Sequence, residues 1–344
     1  MSISRSRYVE VLICFLGVGV TIVAGGWVLG VIVFGVHSLA LQIGLGVALV
    51  SSGVACARLT RGHRAWKRWL VGAGAILLWA SVLGGSVRPK NSRAWVAEAE
   101  KTPWAEISGD VVTLHHYRIF DWTDSGEVGE SRWLTRSFRL SELRHVDFFM
   151  VYWGSPHICH TMVSFDFGPD GRVCASVEAR REVGESYSPW AGMFRGYELY
   201  YVLGDEQDVV RLRTEVQPDN HVYLFRLPAT PEAARIQFLD YVRSINELRH
   251  EPAWYHSVVT NCTTVIRQHV KPLGLKNPWS WRILLNGHLD TYLYERGYLD
   301  RSLSLPELKQ RSLLQKLPES VPLTSFSDEI RRGLPGFELA HHSR

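Results

Sequence analysis

The sequence predicts an α+β protein in two parts: three N-terminal transmembrane helices, followed by an extracytoplasmic domain built on a mainly antiparallel sheet. Three observations lead there. Residues 1–87 hold only eight of the 72 charged side chains. The other 64 fall in 257 residues, about 25 per cent, the usual density of a soluble domain. Between residues 110 and 227 lie six runs rich in aromatic and β-branched residues, bounded by Gly, Pro and Asp, which read as strands. Helical patterns come after them, and strands followed by helices indicate α+β architecture.

The membrane part comes first. From Val11 to Ala57 there are 47 residues without Asp, Glu, Lys or Arg, and from Trp69 to Val87 there are 19 more. A hydrocarbon core of about 30 Å takes roughly 20 helical residues, so the first run suits two crossings and the second one. With a turn near His37 and Ser38, the expected spans are about 11–35, 38–57 and 68–87, in a membrane domain of residues 1–87. A cleaved signal peptide would have a shorter apolar core and no further spans behind it. Arg5 and Arg7 precede the first span and five basic residues between Arg58 and Arg68 separate the second from the third, while the first loop has none. Short cytoplasmic loops are enriched in Lys and Arg. The N-terminus is therefore expected in the cytoplasm and the C-terminal domain outside, which for a bacterial inner-membrane protein is the periplasm.

The sequence pI of 8.8 belongs to the membrane part. Beyond residue 87 there are 31 basic and 33 acidic residues, with none of the clustering that nucleic acid binding requires. Nucleic acid is excluded as a partner. Of five cysteines, Cys14 and Cys56 fall in the spans, leaving Cys159, Cys174 and Cys262 outside. An odd number leaves at least one thiol unpaired within the chain.

A polar connector, residues 88–110, leads into the main domain, residues 111–300. Its expected strands are Asp110 to Phe120, Val146 to Trp153, His157 to Phe167, Arg172 to Glu182, Tyr197 to Leu203 and His221 to Leu227. The helix in "TPEAARIQFLDYVRSINELRH" starts at Thr230 as N-cap with Pro231 in the first position. Its apolar residues recur from Ala234 to Leu248 at spacings of three and four. A second helix begins at or just after Cys262. Residues 301–344 read as an amphipathic tail lying on the domain or on the membrane surface.

Two positions suggest chemistry. "FGPDGR" suits a three-residue hairpin loop with a bulge, which sets Gly168 opposite Arg172 and His160 opposite Arg180. Glu178 then lies diagonally across on the face of His160, where a carboxylate can orient an imidazole. A core histidine, and a salt bridge from Glu178 to Arg180, Arg181 or Arg195, are the plainer readings. By the same register Cys159 and Cys174 sit too many rungs apart for a disulfide. Cys262, in "WYHSVVTNCTTVIRQHV", stands between Asn261 and Thr263, residues that favour helix starts. A helix N-terminus and a neighbouring imidazolium both lower a thiol pKa, and the amide of such a cysteine points where an oxyanion would form. Buried filler is the competing reading. "HICH" supplies metal-ligand types, but His157 and His160 point to opposite faces of a strand, and structural zinc wants four convergent ligands. "NCT" matches an N-glycosylation pattern that a helix start makes unsuitable. Neither a metal nor a cofactor is implied.

The blocks "VDFFMVYWG", "HICHTMVSFDF", "SVEARREVGESYSPWAGMFRGYELYYV", "RLRTE", "VYLFRL" and "NELRHEPAWYHSVVTNCTT" resemble the DUF4105 family, named for the Lnb-type bacterial lipoprotein N-acyltransferases. The resemblance implies a circularly permuted papain-like thiol enzyme, with a strand histidine before a helix-cap cysteine. Carried over, it makes Cys262 the nucleophile, His160 its base and Glu178 the residue that orients the imidazole, with Tyr255, Asn261 and Arg195 lining the site. The family pattern is nearer "WYNTLTTNC", so His256 replaces an Asn and could compete as a second histidine. The implied reaction is acyl transfer from a membrane lipid, through a Cys262 thioester, to the terminal cysteine of a lipoprotein. The implied partners are thus membrane lipids and bacterial lipoproteins. A cysteine hydrolase cleaving a lipid ester, a peptide or a peptidoglycan amide, and a binding domain without turnover, are the alternatives.

Overall fold

In a computed structural model the described residues are 5–123, 125–217, 219–318 and 320–337. The chain forms two compact units. Of the described residues, one gathers 5–90 with the segments 186–198 and 254–257; the other holds the rest. The boundaries thus depart from a plain division at residue 87, because two later segments pack with the helices.

The first unit contains helices α1 (Arg5–Gly30), α2 (Leu39–Leu59) and α3 (Ala65–Ser86). All three are long and apolar enough to cross a membrane. α1 continues through a π turn, Val31–Gly35, and the Ser38 hydroxyl caps α2 by accepting from the Leu41 amide at 3.4 Å. Phe194 joins the apolar cluster of Val28, Val31, Ile32 and Leu83. A Cβ on Gly30 would collide with the Phe194 ring, so glycine there permits the contact.

The second unit is a mixed but mostly antiparallel sheet of eight strands. β1 (Trp104–Ser108), β2 (Val111–Trp122), β3 (Val128–Arg139), β4 (His145–Tyr152), β5 (Cys159–Asp166), β6 (Arg172–Arg180), β7 (Glu198–Gly204) and β8 (His221–Leu227) follow in chain order. Across the sheet they run β1-β2-β7-β6-β5-β4-β8, with β3 also paired to β2. Only β2 and β7 pair in parallel among the registers between described strands. The residues expected to form a connector include β1, whose Trp104 pairs with His115. β4 is buried on both faces, which explains its unbroken apolar run.

Helices close the faces. α4 is the short turn Glu206–Val209, and α5 (Pro231–His250) starts with the Thr230 hydroxyl accepting from the Ala233 amide. Then come α6 (Cys262–His269), α7 (Leu289–Glu295), α8 (Leu305–Arg311) and α9 (Phe326–Glu329). One core holds Phe165, Phe238, Tyr241, Cys262 and Val265 against the sheet. The other holds Phe149, Met162, Cys174, Tyr200 and Val210 with Leu314, Phe326, Ile330 and Leu334. Residues expected as a surface tail therefore complete a core. Arg331 is buried there, bonded to Asp147 at 2.8 Å and Glu206 at 2.6 Å. Residues 338–344 of that tail lie outside the described residues.

The β5–β6 hairpin differs from expectation by two residues. Asp166 pairs with Arg172 and Met162 with Ser176, because Phe167–Gly171 form the loop, with both Gly168 and Gly171 at positive φ. An even shift leaves every side chain on its face. Cys174 now lies opposite Ser164, and Cys159 pairs with Tyr152 of β4.

Candidate functional site

The shifted register sets the chemistry. Continued past Met162, it brings Glu178 level with His160, and the Glu178 carboxylate lies 3.3 Å from His160 Nε2. Ser176, two residues earlier and so on the same side of β6, sits between them. Its hydroxyl donates to Glu178 at 2.6 Å and its oxygen lies 2.7 Å from His160 Nε2. With Nε2 so engaged as a donor, Nδ1 is the ring nitrogen left for a reacting partner. Arg213, from the "RLRTE" block, donates to Glu178 at 3.0 Å. The arginines expected to hold Glu178 are used elsewhere: Arg180 bonds the Ala99 carbonyl and Arg181 pairs with Glu98.

Cys262 is the first residue of α6. Asn261 caps the helix: its side chain accepts from the Thr264 amide at 3.0 Å and its own amide donates to the Thr264 hydroxyl at 2.9 Å. This reciprocal box satisfies two end groups. The amides of Cys262 and Thr263 have no acceptor among the described residues, as expected of a first helical turn. Thr161, next to His160 but on the opposite side of β5, lies 3.2 Å from the Thr263 hydroxyl. Asn286 secures the junction by donating to the Cys159 carbonyl at 2.7 Å and to Thr263 at 2.8 Å, and by accepting from the Cys159 amide at 2.9 Å.

The imidazole of His160 and the thiol of Cys262 lie near enough for each to shift the other's titration. Burial alone pushes the Cys262 thiol up, but the neighbouring His160 charge, helped by the Thr161 amide and hydroxyl, brings it down to about 7. Burial pulls His160 down, and the Glu178 carboxylate and the Cys262 sulfur outweigh that to raise it to about 9. Burial likewise opposes ionisation of Glu178, yet His160, Arg213 and Ser176 hold its carboxyl well below the usual range. Between these values the favoured state is thiolate beside imidazolium, the form in which a cysteine attacks. Cys159 and Cys174 are buried thiols pushed up instead.

Three expected lining residues belong to the helical unit. Arg195 donates to the Gly84 and Val87 carbonyls at 2.8 and 2.9 Å, capping the C-terminus of α3. Tyr255 is buried and its amide donates to the Tyr197 carbonyl. His256 is half-buried, which lowers its pKa. For metal binding, the nearest approach to a ligand set around the site is His157 Nδ1 and His288 Nε2 at 2.9 Å, two imidazoles where a closed zinc site takes four donors.

Sequence reasoning missed Thr161, Ser176, Arg213 and Asn286. Ser176 was accessible, since it shares a strand face with Glu178; Asn286, in an aperiodic loop, gave no signal.

Residues 130–287 match the model of one protein family, the Lnb N-terminal periplasmic domain, and all of Cys262, His160 and Glu178 fall inside that match. No curated protein and no solved structure matches the chain.

Proposed function

We propose, from three membrane-crossing helices and a match of residues 130–287 to the Lnb N-terminal periplasmic domain family, that the chain is a cysteine-dependent acyltransferase of the bacterial inner membrane. Its N-terminus is cytoplasmic and its sheet domain periplasmic, and it N-acylates the terminal cysteine of lipoproteins. The observation that carries the reading is Cys262 at the first position of α6, its thiol electrostatically coupled to an imidazole that Ser176 and Glu178 hold. A nucleophilic cysteine on a helix start and a base on a strand also support the permuted papain-like reading.

The Cys262 thiolate attacks the acyl carbonyl of a lipid ester, and the C–O bond breaks once the tetrahedral adduct collapses. The unbonded amides of the first turn of α6 point where the oxyanion forms. His160, protonated at Nδ1, gives that proton to the leaving alkoxide. The acyl group is then a thioester on Cys262. The α-amino group of the lipoprotein cysteine attacks it, His160 takes the amine proton, the C–S bond breaks and an amide is released. Covalent attachment to three apolar helices ties the thiol to a membrane, raising its effective concentration toward lipid esters.

The test is intact-mass analysis of the full chain with phospholipid, with and without a diacylglyceryl-cysteine peptide. Support consists of an acyl adduct on Cys262, absent in Cys262→Ser, that chases into an N-acylated peptide. Release of the acyl group as fatty acid in the presence of the peptide would make the protein a hydrolase, and no adduct under any condition would refute thiol chemistry.

A further inference from the structure

The loop between α6 and α7 presents apolar side chains to solvent. Trp279 is 66% exposed and Trp281 49%, with Leu275, Leu284 and Leu285 all above 40%. Ile158 adds to them from the other side of the tie between Asn286 and Cys159. Isolated exposed apolar residues are ordinary, but several large ones on a single loop mark a contact surface. Here the loop is pinned beside the thiol by Asn286, and the ring of Trp281 leans on His288 with centroids 5.3 Å apart.

Charge decides what covers it. From Pro252 to Leu289 there is no Asp or Glu, while Arg267, Lys271, Lys276 and Arg282 all fall within that stretch. The rest of the domain is slightly acidic, so the stretch stands out. Arg267 donates to the Asn277 carbonyl and Arg282 pairs with Glu295. Lys271 and Lys276 are exposed and enter no ion pair among the described residues. Tryptophan and leucine beside lysine, without carboxylates, is the composition of an interfacial segment: the apolar groups enter the acyl boundary and the ammonium groups meet anionic headgroups. A protein partner of that shape would need acidic groups around an apolar patch, whereas a bilayer is already supplied by the chain's own three helices.

We propose that residues 275–285 form a membrane-seating surface that inserts Trp279, Trp281, Leu284 and Leu285 into the headgroup region of an anionic bilayer. Its use in bringing lipid esters to Cys262 rests on the acyl-transfer reading; the seating itself does not.

The test uses the full chain with Cys14, Cys56 and Cys262 replaced by serine, spin-labelled at Trp279→Cys, Leu284→Cys or, as control, Glu130→Cys on exposed β3. Each is reconstituted at one copy per nanodisc of phosphatidylcholine, with and without phosphatidylglycerol. Oxygen is expected to relax the labels at 279 and 284 more than a water-soluble nickel chelate does, with the order reversed at 130. Lys271→Glu with Lys276→Glu is expected to move both labels toward water in the anionic discs. Labels at 279 and 284 that read like the control in both lipids overturn the proposal. So does shielding that is absent at one copy per disc and appears only in discs loaded with two, where the labels broaden each other's spectra, which would make the loop a self-association face. Without Cys262 no turnover is measured, so failure here and failure of acyl transfer are separate results.

Discussion

Replacing His160 by alanine removes the group that brings the Cys262 thiol down to about 7 and leaves the burial that pushes it up. Its pKa should then reach or exceed the ordinary value of 9.0. At pH 7 the thiolate fraction falls from about one half to about one per cent, roughly fiftyfold. The rate falls less, because a more basic thiolate is intrinsically more reactive. With a Brønsted coefficient of about 0.45, two pKa units return about eightfold, leaving a net loss of about sixfold. Above about pH 8 the order reverses and the variant reacts faster. The assay is reaction with a small aromatic disulfide across pH 5 to 10, followed by intact mass, in a chain with Cys14 and Cys56 replaced by serine. Buried Cys159 and Cys174, both pushed up, should stay silent. Two parallel profiles with one midpoint near 9 and no crossing would refute the thiolate–imidazolium pair.

Glu178→Gln keeps the shape but removes the charge that raises His160. The Cys262 midpoint should move upward by less than in His160→Ala, and turnover should fall about 10- to 100-fold. The same carboxyl, held below its unfolded value, stabilises the fold above about pH 4.3 and loses that contribution as pH falls. The rise in Tm between about pH 3 and 5 should accordingly flatten in Glu178→Gln. Asn286→Ala leaves the Cys159 amide and carbonyl without their partner; about 3 kcal/mol of destabilisation, or a Tm about 6–12 °C lower, is expected in thermal unfolding. Arg331→Met leaves the buried Glu206 carboxylate without its arginine and Asp147 with Arg226 alone, and should cost about 3 kcal/mol, an effect that a surface tail would not show.

Six strands were legible because aromatic and β-branched runs are what a half-buried pleated surface selects. β1 and β3 were not. β3 is a largely exposed strand rich in polar residues, and a strand with little apolar face has no period to read. The α5 cap and the helix start at Cys262 were visible because capping is local. The hairpin loop was misjudged by two residues, since Gly168 takes a positive φ as well as Gly171; the error was even, so the face shared by His160 and Glu178 survived it. Arg331 shows the limit most clearly. Its burial depends on carboxylates from β4 and α4, more than a hundred positions away, and no local pattern announces such a meeting. Arg213 stood in a block quoted for its family likeness, yet nothing local tied it to Glu178.

Phe194 and Arg195 give the spanning helices a second meaning. The chain spends thirteen residues, 186–198, in the compact unit of those helices. There Phe194 joins an apolar cluster and Arg195, held at φ 62°, closes two open carbonyls of α3. A recombinant fragment that starts at residue 91 would carry this segment with nothing to fold against: a bare aromatic ring and a strained arginine in place of a finished surface. The helices are therefore a template for part of the water-facing sequence, and workers who cut them away for solubility should expect a stickier protein.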